Sequence, residues 1–340
     1  MPQIQDKSIG VPTNIIGGFL GTGKTSTILH LLKHKPKGER WAVLVNEFGE
    51  VGIDGTLFDA KYSEEQGVYV REVQGGCMGC VTDSQMQLEL EELLAYAKPH
   101  RLLIEPTGLG HPKELLENLT DDRFFDVLSI QKIITLVDAR HLLNLRYRQS
   151  ESFREQIAIA DVIVANKQDF YSDDDRNRIN SYLRVNSIDK MKLSFTEQGV
   201  IDPESLNGST DFVTERPNVS LRPIVQNRLL HEEGPIPKCG FIKTENQKEG
   251  YVTLGWRFSS KLGFNHQKLS AFLSGVNAQR LKATCITSSG HFAYNLARDA
   301  LTEIAYERFD ESRIEIIAWL PSSKWESQLF DCIDTGNVYS

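Results

Sequence analysis

Apolar residues along the first 200 positions fall into short runs that alternate with stretches of helical spacing. Short apolar runs are typical of strands buried on both faces, and their alternation with helices is typical of a parallel α/β sheet. The runs predict these strands: Thr13–Gly17, Trp41–Asn46, Val68–Val73, Arg101–Glu105, Ile133–Asp138, Val162–Ala165 and Lys192–Phe195. The predicted helices are Lys24–His34, Asp83–Ala97, Pro112–Leu119 and Asp174–Asn186. The longest of them should bury one broad apolar face made by Leu88, Leu90, Leu93 and Leu94.

The pattern changes near Asn207. Residues 208–238 contain four prolines and little periodicity, which predicts an extended connector. Beyond it we predict strands over Gly250–Phe258, Gln279–Thr287, Phe292–Asn295 and Ser312–Leu320, and helices over His266–Val276 and Ser323–Ile333. We therefore expect a parallel-sheet α/β domain over residues 8–206, a connector over 207–237 and a small α+β domain over 238–334.

Composition and net charge argue against several classes of function. Lys and Arg number 38 against 46 Asp and Glu, a net charge of −8, which argues against nucleic acid as a partner. No apolar run reaches the roughly 18 residues that a membrane span needs, and the first residues carry Asp6 without the apolar core of a signal peptide. Five cysteines are few and odd in number, which fits a reducing compartment. We expect a cytoplasmic protein that contacts no membrane.

A phosphate-binding loop is predicted between the first strand and the first helix, where GFLGTGKT matches G-x-x-x-x-G-K-[ST]. Glycines let backbone amides surround an anion, and the helix N-terminus adds its dipole. Lys24 would reach the β- and γ-phosphates, and the Thr25 hydroxyl would bind Mg²⁺. Without nucleotide we expect the Lys24 ammonium to be solvated. The predicted nucleotide-binding residues here are Gly18, Gly21, Thr22, Gly23, Lys24, Thr25 and Ser26.

The sequence Asn166-Lys167-Gln168-Asp169 follows a later strand and has the N-K-x-D form that reads guanine. The Asp169 carboxylate can accept hydrogen bonds from both N1–H and the 2-amino group of guanine, a donor pair that adenine lacks. Asn166 would support the loop, and Lys167 would stack along the base. Guanine nucleotide is therefore the predicted ligand.

An apolar strand that ends in Glu105 is followed three residues later by Gly108. This is the layout of a segment that senses Mg²⁺ and the γ-phosphate. Glu105 would act on the Mg²⁺ shell, directly or through water. The Gly108 N–H would meet the γ-phosphate.

The ordered motifs GGFLGTGKTS, VNEFGEVGID, GGCMGC, IEPTGLGHP, LVDAR and NKQD resemble the CobW-like metal-handling P-loop GTPases, and within them the YeiR-type zinc-binding GTPases. The resemblance covers nearly the whole chain, including a CobW C-terminal-type domain. It implies slow GTP hydrolysis and the handling of a transition metal, often zinc. It also implies that residues 46–54 form the first switch, with Asp54 near the attacking water and Glu50 near the transition metal.

The cysteine motif of this family is C-x-C-C, whereas the chain has Cys77-Met78-Gly79-Cys80. Two thiolates remain for Zn²⁺, which prefers four ligands, and the missing ligands would be Glu50 or His111. A redox pair and a structural turn with two inert thiols stay open as alternatives. Three further cysteines, Cys239, Cys285 and Cys332, are predicted to be small core residues.

The leading function is a GTP-hydrolysing metallochaperone that carries zinc or another transition metal to a client metalloprotein. The alternative is a GTP-gated protein-interaction switch that has lost metal binding. A small-molecule kinase with the same loop is a third reading. The oligomeric state stays open, a homodimer included.

Overall fold

The computed structural model describes residues 10–46, 64–73, 83–110, 112–121, 123–186, 188, 191–212, 236–248, 250–297 and 300–334. These residues divide into two compact units. The first contains the described residues up to 212, and the second contains those from 236 onward. Among the described residues, no helix is long and apolar enough to cross a membrane.

The first unit is built on a parallel sheet. Its strands are β1 (Val11–Gly18), β2 (Trp41–Asn46), β3 (Val68–Val73), β4 (Arg101–Glu105), β5 (Leu128–Ile130), β6 (Ile134–Val137), β7 (Val162–Ala165) and β8 (Lys192–Phe195). They lie in the order β3-β2-β4-β1-β6-β7-β8, and β5 pairs with the first half of β1. Because parallel strands end at one edge of a sheet, the loops after β4, β1, β6 and β7 are neighbours.

Helices connect these strands: α1 (Lys24–Lys33), α2 (Asp83–Ala97), α3 (Pro112–Leu119), α4 (Leu145–Gln149), α5 (Glu151–Ala158) and α6 (Asp173–Val185). Consecutive β4 residues Leu102, Leu103 and Ile104 are all fully buried, so both faces of the sheet are covered, as expected for parallel strands. Leu90 and Leu93 of α2 pack in the same core.

A buried carboxylate fills the junction where β5 ends and β6 begins beside β1. Asp161 accepts hydrogen bonds from the backbone amides of Ile133 and Asp211, each at 2.7 Å. Lys132 lies 3.8 Å from the same carboxylate. The segment up to residue 212 is therefore tied to the sheet through side-chain and backbone contacts.

The second unit is a six-stranded antiparallel sheet in the order β13-β12-β11-β14-β10-β9. Its strands are β9 (Phe241–Lys248), β10 (Tyr251–Ser259), β11 (Arg280–Thr287), β12 (Gly290–Ala297), β13 (Ala300–Tyr306) and β14 (Glu311–Ala318), and its helices are α7 (His266–Gly275) and α8 (Trp325–Phe330). Leu254, Trp256 and Phe258 alternate along β10 and share one core with Leu269 and Leu273 of α7. The predicted fold class, a parallel-sheet α/β domain followed by a small α+β domain, is confirmed.

Three details differ from the sequence-based expectation. Leu88 of α2 is 45% exposed, because the buried face of that helix is made by Met86, Leu90, Leu93 and Ala97 instead. Cys239 is exposed, whereas Cys285 and Cys332 are buried as predicted. Among the described residues, the strands and α-helices that the pattern did not predict are β5, α4, α5, β9 and β13.

Candidate functional site

The turn between β1 and α1, residues Phe19–Gly23, has the conformation of a phosphate-binding loop. Its two glycines, Gly21 (70°) and Gly23 (102°), and Gly18 (143°) at the end of β1 have positive φ angles. An ideal Cβ on Gly18 would lie 2.6 Å from the carbonyl oxygen of Leu136, so only glycine fits there. The Thr22 hydroxyl donates to the Phe19 carbonyl at 2.9 Å and closes the turn. The first backbone amides of α1 follow directly, and amides at a helix N-terminus favour an anion.

Lys24 opens α1 and is buried, with 6% of its surface exposed. Its ammonium donates to the Phe19 carbonyl at 3.4 Å and so lies over the turn. The expectation of a solvated ammonium is therefore wrong, because the turn itself supplies an acceptor. A compact cation at this position suits a polyphosphate held by the turn. Ser26, two residues further along the helix, is exposed.

Thr25 and Glu105 meet although they are far apart in the chain. The Thr25 hydroxyl donates to Oε1 of Glu105 at 3.0 Å, and Glu105 is 3% exposed. Two oxygens at adjacent octahedral positions, each about 2.0–2.1 Å from Mg²⁺, lie about 2.9 Å apart. The pair therefore fits Mg²⁺ both in its oxygen chemistry and in its spacing.

Gly108 lies against the phosphate-binding turn. An ideal Cβ on it would come within 2.8 Å of the backbone nitrogen of Leu20. Its carbonyl accepts a hydrogen bond at 3.0 Å from Gln156 of α5, which is 2% exposed. Sequence reasoning missed Gln156, because nothing in its local pattern separates it from a surface residue of a short helix.

Asn166 joins the phosphate-binding turn to the loop that follows β8. Its Nδ2 donates to the Thr22 carbonyl at 2.8 Å, and its Oδ1 accepts from the Gly199 amide at 3.0 Å. The side chain is 2% exposed. Three loops are therefore fixed to one another by a single amide group.

Lys167 adopts a left-handed backbone conformation, with φ of 65°, and its Nζ lies 3.9 Å from Oδ2 of Asp138. Asp138 directly follows β6 and is fully buried. Arg140 binds the same carboxylate through Nε at 3.0 Å and Nη2 at 2.7 Å. Burial by itself would raise the pKa of Asp138. The hydrogen bonds from Arg140 and the charges of His141, Arg140 and Lys167 outweigh burial, so the pKa of Asp138 lies below its ordinary value.

Tyr171 connects the ends of β6 and β7. Its hydroxyl accepts from the Ala139 amide at 2.8 Å and donates to the Asn166 carbonyl. Burial, followed by the nearby Asp138 carboxylate, raises the pKa of Tyr171, so the hydroxyl stays protonated and can donate. Neither Tyr171 nor Asp138 was among the predicted site residues. The signal that could have found Asp138 is an acid at the end of a buried strand, as at Glu105.

Asp169 is exposed, in a 3-10 turn over Gln168–Phe170. That turn is fixed to the loop after β8 by a hydrogen bond from the Gln168 amide to the Thr196 carbonyl at 2.9 Å. The Asp169 carboxylate is therefore at the surface, on the same loop as Lys167. This is an accessible position for a group that reads the edge of a base.

The structure thus brings together the predicted residues of the phosphate-binding turn with Glu105, Gly108, Asn166 and Lys167. The predicted transition-metal and first-switch residues lie outside the described residues: Glu50, Asp54, Cys77, Cys80 and His111. Within the described ranges, no three His, Cys, Asp or Glu side chains are grouped as metal ligands.

A profile of the CobW/HypB/UreG nucleotide-binding domain matches residues 12–191. The match begins in β1, covers the turn, Glu105 and the N-K-x-D loop, and spans more than half of the chain. The chain belongs to the CobW/HypB/UreG family. The resemblance predicted from the motifs is confirmed, and the first unit of this CobW/HypB/UreG protein is a P-loop GTPase domain.

Individual relatives share this domain and in one case most of the chain. Zinc chaperone YeiR of Escherichia coli (strain K12) is 37% identical over 310 residues, which cover 90% of this chain and 92% of that protein. Zinc chaperone CobW of Pseudomonas aeruginosa is 32% identical over 186 residues, 47% of this chain and 49% of its own. The Zn(II)-bound YjiA GTPase from E. coli superposes with a TM-score of 0.44 at 18% identity, over 95% of this chain and 99% of that one.

Proposed function

We propose that this protein binds GTP with Mg²⁺ at the edge of the parallel sheet, hydrolyses it, and uses the cycle to deliver zinc to a client metalloprotein. The observation that carries the GTPase part is the Thr25–Glu105 oxygen pair at 3.0 Å beside the glycine turn. The metal part is supported by relatives named zinc chaperones, one of them similar over nine-tenths of the chain.

In this proposal the triphosphate lies in the turn over Phe19–Gly23, with the Lys24 ammonium against its β- and γ-phosphates. Thr25 and Glu105 hold Mg²⁺, which neutralises charge on the phosphates when bound. Gly108 offers its N–H to the γ-phosphate, and Asp54 orients the attacking water. Phosphoryl transfer needs little beyond positioning and charge stabilisation, so these groups suffice for slow hydrolysis.

The guanine base is placed against the N-K-x-D loop, where Asp169 accepts its two donors and Lys167 stacks along the ring. This assignment is supported by the hydrogen bonds of Asn166 and Tyr171, which fix the position of the loop. Adenine presents no matching donors, so Asp169 would be left without a partner and discrimination would be strong.

Zinc is the cargo and is bound by Cys77 and Cys80, with Glu50 completing part of the shell. Two thiolates are one ligand fewer than the C-x-C-C motif provides. Zinc binding is therefore weaker and depends more on ligands from the first switch. GTP would close the switch over the nucleotide and reshape the cysteine loop, and hydrolysis would release the metal. The client metalloprotein and a homodimer are part of the same proposal.

The GTPase part is tested by phosphate release from GTP and ATP without any acceptor molecule. We expect release from GTP only, in a Mg²⁺-dependent manner, and loss of both binding and release in Lys24→Ala while circular dichroism stays unchanged. Unchanged turnover in a folded Lys24→Ala protein would contradict the site. Transfer of the γ-phosphoryl group to an added acceptor, with no release of free phosphate, would indicate a kinase instead.

The metal part is tested by competition against a colorimetric zinc chelator, with and without a non-hydrolysable GTP analogue. Loss of one thiolate should weaken zinc binding by about two orders of magnitude, so Gly79→Cys should bind tighter than the wild type. Cys77→Ser/Cys80→Ser should bind no zinc at this loop. Equal zinc binding by the wild type and the double-serine protein would show that the cysteine loop is not the metal site, and absence of zinc binding in both would favour the interaction switch.

A further inference from the structure

Two histidines lie one turn apart on α1, the helix that begins at the phosphate-binding turn. His30 and His34 are four residues apart, so their side chains share one face of the helix. Their ring centroids are 4.3 Å apart, with the ring planes inclined by 40°. His34 is exposed and His30 is half-buried.

Each ring is oriented by a backbone group through one of its two nitrogens. Nδ1 of His34 lies 2.8 Å from the carbonyl oxygen of His30. A ring nitrogen of His30 hydrogen-bonds the backbone of Ile201. Histidines that bind metals almost always use their second nitrogen in this way, because the hydrogen bond fixes the tautomer and the ring orientation. One nitrogen of each imidazole is left to face a ligand.

The spacing of the two rings suits a single cation. Two imidazole nitrogens bound to one tetrahedral Zn²⁺ at about 2.0–2.1 Å lie about 3.3 Å apart, which rings with centroids at 4.3 Å reach by small side-chain rotations.

We propose that His30 and His34 form a two-imidazole docking site for a divalent transition-metal cation of the class that imidazole prefers, Zn²⁺, Ni²⁺ or Cu²⁺. Imidazole suits these ions, whereas Mg²⁺ and Ca²⁺ prefer oxygen ligands. Two protein ligands leave other coordination positions to water or to an exchanging molecule, so binding is weak and reversible. The site is separate from the Cys77–Cys80 loop and does not depend on GTP binding.

The contacts of the two histidines determine which of them should be replaced to test the metal site. His30 also anchors Ile201, and the same loop carries Gly199, whose amide is held by Asn166. Replacing His30 would therefore disturb the loop as well as the metal site. His34 is exposed and contacts only its own helix turn through Nδ1, so His34→Ala removes a ligand while the fold persists.

The test uses the full chain with Cys77→Ser/Cys80→Ser, so that the cysteine loop contributes no ligand. Cu²⁺ is added, and its electron paramagnetic resonance spectrum reports the number of coordinating nitrogens, while chelator competition with Zn²⁺ reports affinity. We expect one Cu²⁺ with two imidazole nitrogens. In His34→Ala one nitrogen should be lost and Zn²⁺ affinity should fall by about tenfold or more, since tenfold corresponds to about 1.4 kcal/mol.

The matched control is His100→Gln, which removes another exposed histidine but keeps an acceptor for the Arg40 amide that His100 Nδ1 now binds. It should leave both the spectrum and the Zn²⁺ affinity unchanged. GTP binding by His34→Ala should equal that of its parent, which shows that the protein is folded. Equal Zn²⁺ affinity and an unchanged two-nitrogen spectrum in His34→Ala would overturn the site.

Discussion

The side-chain amide of Asn166 occupies the space that a Cβ atom on Gly23 would need. The same amide donates from Nδ2 to the Thr22 carbonyl at 2.8 Å, so the contact cannot open without loss of a buried hydrogen bond. The phosphate-binding turn and the N-K-x-D loop therefore contact each other closely at Nδ2 of Asn166. Any side chain at Gly23 must move Asn166 or move the turn.

Gly23→Ala should therefore lose most GTP affinity. The new methyl group displaces Asn166 and also imposes strain at a φ of 102°. Gly38→Ala is the matched control, since Gly38 has a φ of 85° but open space around its Cβ. Isothermal titration with a GTP analogue checks both variants. Equal affinities in the two variants would mean that the overlap with Asn166 does not lower GTP affinity.

Asp138→Asn should weaken GTP binding by about two- to fivefold, because an ion pair such as that between Lys167 and Asp138, at 3.9 Å, contributes up to about 1 kcal/mol. The asparagine keeps the shape of Asp138 but no longer attracts the ammonium of Lys167. Affinity for inorganic tripolyphosphate, which uses only the glycine turn, should stay unchanged. A parallel loss of tripolyphosphate affinity would show that Asp138 supports the fold and not the base contact.

The Asp138 carboxylate should also contribute a pH-dependent part of stability. Its folded-state pKa lies below the ordinary value of 3.8, so the contribution is complete above that value and is lost as the pH falls through the folded pKa. The gap in unfolding free energy between the wild type and Asp138→Asn should therefore shrink between about pH 6 and about pH 3. Urea unfolding at both pH values measures it, and a constant gap would rule out this linkage.

Asp169→Asn should change nucleotide preference without changing stability, because the side chain is exposed. The amide NH₂ of asparagine would face the guanine donors, whereas the C2 carbonyl of xanthine can accept from it. GTP affinity should fall and xanthosine triphosphate should be relatively favoured. Competition between the two nucleotides measures the change, and an unaltered preference would remove Asp169 from base recognition.

Much of the fold could be predicted because buried parallel strands form continuous apolar runs. β2, β4 and β7 are such runs and begin and end at the predicted residues, as do the less buried edge strands β3 and β8. The edge strand β9 was missed because its polar residues, such as Lys243, Glu245 and Gln247, show no apolar alternation. The short helices α4 and α5 lack a clear period, although their caps, Asn144 and Ser150, were readable signals.

The residues of the candidate site also fall into a group that the sequence predicts and a group that it does not. Motif residues such as Thr25 and Glu105 could be predicted because their spacing encodes the chemistry. Gln156 and Tyr171 could not, because their roles arise from contacts between distant segments. The burial of Lys24 is a similar case, since the acceptor on Phe19 becomes available only when the turn has formed.

The Asp161 carboxylate has a consequence for where the chain can be shortened. It holds the Asp211 amide as well as the Ile133 amide, and Asn207 accepts a hydrogen bond from Arg101 at 2.8 Å. A fragment that ends at residue 206 would lack Asn207 and Asp211. The half-buried Arg101 and the buried Asp161 carboxylate would then be exposed to water. A fragment that ends at residue 212 would keep them, so it should resist proteases and melt at a higher temperature than the shorter one.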